Sequence, residues 1–295
     1  MRYIDWNYLR AFQATAAAGS LSAAARQLGL TQPTLSRQVQ ALEEALGLRL
    51  FDRLGRKLII TKVGTDILRH VDLMADAAQS VMLTASGNTQ DISGRVRISA
   101  SDSYSAYILP EIVALVKVKA PGISIEISAS DMVANLHQME ADIAIRHARP
   151  DLPGLVGHFV GNTTAQFYAS TDWVARNGLP ERPESIAGAA FLGFGDATRL
   201  AAMLCSLGFK VEPTDFKLMS NSSMVVWEMV KQGKGVAAMV SEVADRTAGI
   251  VNILPDIAPI VSPLWLVTHT EMLASPRIQV VHELLAQELA SLLGA

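Results

Sequence analysis

Residues 20–47 constrain the fold most strongly, because their capping residues mark two short helices separated by a tight turn. Ser20 can accept hydrogen bonds from the free backbone N–H groups that open the first helix. Gly29 can end that helix in the left-handed conformation, which glycine adopts without a Cβ clash. Thr31 is placed to cap a second helix, and Pro33 falls in its first turn, where a missing N–H group is tolerated. This order of residues predicts a helix-turn-helix.

The second of these helices has one apolar face and one polar, cationic face. Apolar residues recur at helical spacing, at Leu35, Val39, Leu42 and Leu46. Arg37 and Gln40 point the opposite way. Arg and Gln side chains can form paired hydrogen bonds with guanine and adenine edges, so this face suits the major groove of DNA. The alternative is an ordinary amphipathic helix with a solvated outer face.

Residues 48–61 predict a β-hairpin directly after that helix. Two short apolar runs flank a tip that carries Arg53, Arg56 and Lys57. Such a wing can contact phosphates beside the groove that the helix enters. The first 60 residues hold eight Lys or Arg against four Asp or Glu, whereas residues 91–295 hold fifteen against twenty-one. A basic front end on an acidic body favours a polyanionic partner for the front end alone.

The residues AFQATAAAGSLSAAARQLGLTQPTLSRQVQALEEALGLRLFDR resemble the N-terminal signature of LysR-type transcriptional regulators. The likeness covers Leu9 to about Gly64 and is weaker beyond it. It implies a winged helix-turn-helix that binds double-stranded DNA. We expect base contacts from Gln32, Pro33, Thr34, Ser36 and Arg37. We expect phosphate contacts from Thr31, Gln40, Arg53, Arg56 and Lys57.

A long helix is predicted over residues 62–86, with Thr61 as its cap. Apolar residues follow a regular heptad spacing along it, at Ile67, Val71, Met74, Ala78, Val81 and Ala85. Such a seam favours pairing with an equivalent helix. The alternative is packing on the core of its own domain, because further apolar residues widen this face. The resemblance implies a homodimer through this linker helix, and a homotetramer in many members of the family.

Beyond residue 94 the pattern changes to short strands that alternate with helices. Strands are predicted at 95–100, 123–129 and 142–146, with helices at 108–118 and 136–140. This βαβαβ order indicates a parallel sheet wrapped by helices. A second such run has strand candidates at 166–169, 191–194, 216–219 and 236–240, and helices near 172–177, 197–207 and 222–232. A strand at 264–268 and a helix at 276–293 follow it.

These patterns and the resemblance together predict the fold class. It is an all-α winged helix-turn-helix with a long linker helix, followed by a two-lobed α/β effector domain similar to periplasmic binding proteins. The predicted boundaries are 1–61 for the DNA-binding domain, 62–87 for the dimerisation linker helix, 88–94 for a hinge, 95–165 with 264–295 for lobe I, and 166–263 for lobe II. Two chain crossovers between the lobes would leave a cleft.

Polar side chains follow the predicted strands, at the edge where open α/β sheets bind ligands. The candidates for an effector site are Ser101, Ser103, Ser130, Asp131, Arg146, His147, Phe194, Asn221 and Ser222. Hydroxyl, amide and backbone N–H groups beside one Arg suit a small organic anion. Two alternatives stay open. The polar residues serve only as helix caps, or Asp131 or Asp142 holds Arg146 in a structural ion pair.

No constellation of residues in the sequence indicates catalysis. The six His residues show no metal-ligand spacing, and no GxSxG motif is present. Gly233 and Gly235 imitate a dinucleotide fingerprint, but they follow a helix and open a strand, which is the reverse of the order that phosphate binding requires. We therefore predict that the protein is no enzyme and has no catalytic residue, metal or cofactor.

No apolar run reaches the roughly 20 residues that span a bilayer. The N-terminus lacks the apolar core of a signal peptide. We therefore expect a cytoplasmic protein without a membrane partner. Cys205 is the single cysteine, which excludes an internal disulfide, and we expect it to be a buried thiol.

The predicted function is that of a sequence-specific DNA-binding transcriptional regulator. Its two-lobed domain would bind a small effector and thereby change the spacing of paired DNA-reading heads. One alternative is a substrate-binding domain of an enzyme or transporter that carries an incidental helix pair. Another is a DNA-binding regulator with a vestigial effector cleft, since Met239, Val240 and Ser241 lack the proline that often ends this strand in the family.

Overall fold

The computed structural model describes residues 4–54, 57–86, 92–131, 141–152 and 154–294. Internal contacts divide the chain into two units, Met1–Thr89 and Gln90–Ala295. Residues 88–91 of the predicted hinge and the helix predicted at 136–140 lie outside the described residues. None of the helices in the described ranges combines the length and the apolar character needed to cross a membrane.

The first unit contains α1 (Trp6–Ala18), α2 (Leu21–Leu28), α3 (Gln32–Leu46), β1 (Phe51–Leu54), β2 (Lys57–Ile60) and α4 (Lys62–Ser86). The predicted helix caps are confirmed. Ser20 Oγ accepts a hydrogen bond from the N–H of Ala23 at 3.2 Å. Thr31 Oγ1 accepts one from the N–H of Thr34 at 3.4 Å. Gly29 ends α2 with a φ of 66°, the left-handed conformation that favours glycine.

Two apolar clusters hold α3 in place. Leu35 and Val39 pack in one cluster with Ala24 of α2. Leu42 packs in the other with Leu50 and with residues of α1 and α4. The buried stripe is therefore the one that the spacing predicts, and its burial determines which face of α3 meets solvent.

The apolar seam of α4 divides into two parts. Ile67 and Val71 pack in the core of the first unit, so the alternative of packing on its own domain is correct for the beginning of the helix. Farther along, Met74 is 47 % exposed and Val81 is 67 % exposed. This second part of the seam has apolar side chains directed to solvent in the single chain, which leaves them open for pairing with another copy.

The second unit is a mixed α/β structure. Its strands are β3 (Gly94–Ala100), β4 (Ile123–Ala129), β5 (Ile143–Arg146), β6 (Leu155–Ser170), β7 (Gly193–Phe194), β8 (Met219–Ser220), β9 (Ala237–Val240), β10 (Ile250–Asn252) and β11 (Ile260–His269). Its helices are α5 (Asp102–Tyr107), α6 (Leu109–Lys119), α7 (Thr171–Asn177), α8 (Ala197–Ser206), α9 (Ser223–Lys231), α10 (Ser241–Ala244) and α11 (Pro276–Leu293).

One seven-stranded sheet runs through this unit in the order β10-β6-β11-β5-β3-β4, with β9 also paired to β6. Strands β4 and β5 both pair parallel with β3, which confirms the predicted parallel arrangement. We call the part that contains β3, β4 and β5 the first lobe, and the part that contains α7, α8 and α9 the second lobe.

The two chain crossovers between the lobes are longer than predicted. Strand β6 has 16 residues and β11 has 10, and they pair antiparallel from Leu155 with His269 to Ala165 with Ile260. The first part of β6 was not predicted because it contains Gly157, Gly161 and the polar residues that follow them. Glycine and asparagine are uncommon in strands. The pairing with β11 overrides that local preference.

Two other points of the prediction need correction. The helix predicted at 108–118 is confirmed as α6, but a separate helix, α5, was not predicted and lies directly before it, so that the two meet at Ile108. Pro110 lies at the start of α6, and its missing N–H group suits a new helix better than a continued one. The thiol of Cys205 is exposed rather than buried, because Cys205 lies on the outer face of α8 while Ala201 and Leu204 point inward.

Candidate functional site

The outer face of α3 presents the predicted base-reading residues to solvent. Exposed side chains are those of Gln32, Pro33, Thr34 and Arg37, and Ser36 is partly buried. No acidic residue lies in the first turn of this helix. The face therefore combines the positive end of the helix dipole with donors that can reach base edges.

Thr31 and Gln40, the two phosphate candidates on this helix, are also exposed. The hydroxyl of Thr31 lies 2.8 Å from that of Thr34. The side-chain amide of Gln40 donates to Glu44 Oε1 at 2.9 Å. That contact lies within one helix and in solvent, so it is weak enough to be exchanged for a phosphate.

One carboxylate of α3 forms hydrogen bonds to the backbone at the start of the wing. Glu43 Oε1 accepts hydrogen bonds from the N–H groups of Leu50 at 2.7 Å and Phe51 at 3.2 Å. Strand β1 pairs antiparallel with β2, as the hairpin prediction requires. Arg56 lies outside the described residues. For Arg53 and Lys57 the structure describes only the backbone, which places both residues on the hairpin strands.

In the second unit, the predicted effector residues of the first lobe lie at the carboxyl ends of β3 and β4. Ser101 caps α5, and its hydroxyl accepts from the N–H of Tyr104 at 3.4 Å. The hydroxyls of Ser101 and Ser103 are also 3.4 Å apart. The N–H of Ser130 donates to the carbonyl of Ala100 at 2.9 Å, which holds the two strand ends side by side.

Hydrogen bonds across the lobes connect this group to Ser222. One oxygen of Asp131 accepts from the N–H of Asp102 at 3.1 Å, and the other accepts from the N–H of Ser223. Ser222 Oγ donates to the carboxylate of Asp102. The N–H of Ser103 donates to Ser223 Oγ at 3.2 Å. Asp102 and Ser223 were not among the predicted site residues, although each adjoins one that was.

Arg146 is oriented by Ser99 and by its own backbone. Its guanidinium donates to Ser99 Oγ at 2.6 Å, to the carbonyl of Ser99 at 3.2 Å and to the carbonyl of Ile145 at 2.8 Å. It forms no ion pair with Asp131 or Asp142 in the described part of the chain. Burial lowers the pKa of Arg146. This cation therefore has no described carboxylate to neutralise it.

His147 packs edge-on against Tyr104, with 5.4 Å between the ring centroids. Burial lowers the pKa of His147, the charge of Arg146 lowers it further, and Asp131 partly opposes both. Its Nδ1 atom has no hydrogen-bond partner among the described residues. Burial and the nearby Glu242 raise the pKa of Tyr104. Because the pKa of the phenol is raised and that of the imidazole is lowered, both rings are neutral at pH 7.

Phe194 and Asn221 lie together at the other side of this region. Phe194 pairs with Ser220 across β7 and β8, and its side chain is 40 % exposed. Asn221 is exposed as well. No hydrogen bond within the described ranges connects either side chain to Asp131. In the same ranges, no group of three or more His, Cys, Asp or Glu residues could hold a metal ion.

Two family profiles match this chain. Residues 6–65 match the bacterial regulatory helix-turn-helix protein, lysR family, and residues 89–290 match the LysR substrate binding domain. The chain belongs to the LysR family. It is a DNA-binding transcriptional regulator with an effector-binding domain, as the resemblance of its first residues implies.

Named relatives agree over nearly the whole chain. The transcriptional regulator CrgA of Neisseria meningitidis serogroup C is 26 % identical over 294 residues, which cover 96 % of each chain. The regulator PtxR of Pseudomonas aeruginosa is 27 % identical over 273 residues, which cover 86 % of this chain and 83 % of that one. Both relatives are named as HTH-type transcriptional regulators.

Solved structures of LysR-type regulators share the fold. A full-length variant of OxyR from Pseudomonas aeruginosa superposes with a TM-score of 0.71 at 19 % identity, covering 98 % of both chains. CrgA from Neisseria meningitidis gives 0.59 at 22 % identity, covering 96 % of this chain and 98 % of that one.

Proposed function

We propose that α3 reads DNA by inserting its exposed face, Thr31–Gln40, into the major groove. Gln32, Pro33, Thr34, Ser36 and Arg37 would contact base edges. Thr31, Gln40 and the wing residues Arg53, Arg56 and Lys57 would contact phosphates. The observation that supports this proposal is which face of α3 is buried. The apolar stripe packs inward, so these polar residues lie on the side that is accessible to solvent.

Two copies would bind one DNA site through α4. Ile67 and Val71 form the buried part of the heptad seam, and Met74 and Val81 continue it where the helix is exposed. Pairing two such helices would therefore remove exposed apolar surface from water. A symmetric dimer of reading heads suits half-sites about one helical turn apart. Two such dimers, joined through the effector-binding units, would form a homotetramer.

The region around Arg146 would bind the effector. A guanidinium without a described acidic partner, next to the neutral ring of His147 and the polar ends of β3 and β4, favours a small organic anion. Binding between the lobes would change their relative angle and, through α4, the spacing of the two reading heads.

The experiment that tests DNA reading starts from sequences selected by the full-length protein from a random duplex library. Arg37→Ala should weaken binding to the selected site by about 1–3 kcal/mol and relax the preference at one base pair. Lys57→Ala should weaken binding to all DNA sequences alike. It should also reduce the slope of the logarithm of the binding constant against the logarithm of the salt concentration by about one. If Arg37→Ala binds every sequence as the unchanged protein does, α3 is not the reading helix.

A further inference from the structure

Asp131 joins the two lobes with a single carboxylate. Its Oδ1 atom accepts from the N–H of Asp102, the first residue of α5 in the first lobe. Its Oδ2 atom accepts from the N–H of Ser223, the first residue of α9 in the second lobe. Each of these N–H groups opens a helix and has no acceptor within its own helix. One side chain therefore satisfies one free N–H group in each lobe.

Two further hydrogen bonds surround this carboxylate and also cross between the lobes. Ser222 Oγ donates to Asp102, and the N–H of Ser103 donates to Ser223 Oγ. Ser222 caps α9 without a side-chain hydrogen bond to the helix, because its hydroxyl is turned to Asp102 instead. The four hydrogen bonds thus form one cluster, which we call the lobe latch: Asp102, Ser103, Asp131, Ser222 and Ser223.

The other polar contacts between the lobes that we compare, both in the described part of the chain, are weaker. Lys231 donates to the hydroxyl of Tyr107 at 3.3 Å. Arg246 lies 3.4 Å from Glu111, whose side chain is 70 % exposed. Exposed ion pairs of this kind contribute little to stability. A carboxylate that accepts two backbone N–H groups makes stronger, charge-assisted bonds, so the lobe latch is the polar contact that most restricts the angle between the lobes.

Resting on the effector-sensing function proposed above, we propose that Asp131 is the switch residue of this domain. Its carboxylate holds the lobes in the angle seen here. A change in that angle must break its bond to Asp102 or to Ser223. An effector therefore acts by shifting the equilibrium between the latched and the released arrangement, and a variant without the carboxylate adopts the released arrangement without any effector.

Asp131→Asn is the informative substitution, because it keeps the size of the side chain. The amide offers one acceptor oxygen and one NH2 group, and NH2 cannot accept from an N–H group. One bond of the pair is therefore lost and a donor faces a donor. Asp256→Asn, on an exposed turn of the second lobe, removes the same charge and serves as the matched control.

The first measurement is hydrogen–deuterium exchange of the full-length protein without added ligand. In Asp131→Asn, peptides that contain the first turns of α5 and α9 should exchange at least tenfold faster than in the unchanged protein, because these turns lose a charge-assisted hydrogen bond. Asp256→Asn should leave both peptides unchanged. Equal exchange in all three proteins would overturn the latch. A cooperative melt with unchanged far-ultraviolet circular dichroism shows that the variant is folded.

The second measurement is a DNase I footprint on the selected DNA site. Asp131→Asn should change the length of the protected region or its hypersensitive positions, whereas Asp256→Asn should reproduce the original pattern. Faster exchange with an unchanged footprint would show that the latch is not coupled to the reading heads and would overturn Asp131 as the switch. If the unchanged protein selects no DNA site, the DNA-reading proposal fails, and the exchange result still decides whether the latch exists.

Discussion

The carboxylate of Glu43 in α3 accepts a hydrogen bond from the backbone N–H of Leu50 at 2.7 Å, which ties the reading helix to the start of the wing. The same oxygen accepts from the N–H of Phe51. Glu43 begins the last turn of α3, nearly two turns beyond Arg37, the last of the residues proposed to contact bases. This partly buried side chain therefore adds two hydrogen bonds to the apolar packing of Leu50 and Phe51, which positions the wing relative to the groove-facing residues.

We predict that Glu43→Ala lowers the stability of the first unit by about 1–3 kcal/mol, because two partly buried N–H groups lose a charged acceptor. The midpoint of urea unfolding, followed by circular dichroism on the full chain, measures the effect. Glu44→Ala is the control, since Glu44 is exposed and its carboxylate accepts from Gln40 of the same helix. Equal midpoints for the two variants would show that Glu43 does not secure the wing.

Gly64 gives a second prediction, at the start of α4. A Cβ there would collide with the carbonyl oxygen of Leu50 and would lie 2.9 Å from Cγ1 of Ile60. Alanine normally stabilises a helix by about 1 kcal/mol relative to glycine. Here the collision should reverse the sign, so that Gly64→Ala destabilises the first unit by about 1–3 kcal/mol.

The same urea titration measures this effect. Thr65→Ala, at the next and exposed position of α4, is the control and should change the midpoint little. A stabilised Gly64→Ala variant would mean that the wing and α4 can separate without cost.

The helix-turn-helix was predictable because every signal for it is local. Ser20, Gly29 and Thr31 mark helix ends within a few residues of the bonds that they make, and the spacing of Leu35 and Val39 follows from one helix. These signals do not depend on any distant part of the chain.

The crossovers and the lobe latch depend on distant residues, so the sequence indicated them only in part. Strand β6 takes its length from pairing with β11, which begins about a hundred residues later. Asp131 meets Ser223 across 92 positions. Asp131 and Ser222 were predicted as site residues because ligand sites in α/β sheets follow strand ends. The spacing of residues in the sequence does not indicate which of their neighbours form hydrogen bonds in the lobe latch.

Val81 carries the third prediction, on self-association. Val81→Glu places a charge in the seam where two copies of α4 are proposed to meet, and should raise the dissociation constant of the dimer at least tenfold. Sedimentation velocity over a range of protein concentrations measures the shift. Leu179→Glu, at a site that is 56 % exposed in the second lobe, is the matched control. An unchanged sedimentation profile for Val81→Glu would place the dimer contact elsewhere.

The fourth prediction concerns His282, which faces His158 with 5.3 Å between the ring centroids. Burial lowers the pKa of His282, the neighbouring His158 lowers it further, and Glu283 partly opposes both. The folded protein therefore binds a proton at His282 less readily than the unfolded chain does. Stability should be fully present above the unfolded pKa of about 6.5 and should fall as the pH drops through that value toward the folded pKa.

His282→Gln removes this proton-linked term, so the variant should lose less stability between pH 7.5 and 5.5 than the unchanged protein does. Urea unfolding at several pH values gives the slope of the free energy of unfolding against pH. His70→Gln, at an exposed position of α4, is the matched control. His282 lies on α11, which packs against β6. If His282→Gln shows the same dependence of the free energy of unfolding on pH as the unchanged protein, then the two imidazoles separate on protonation without loosening the packing of α11 on β6.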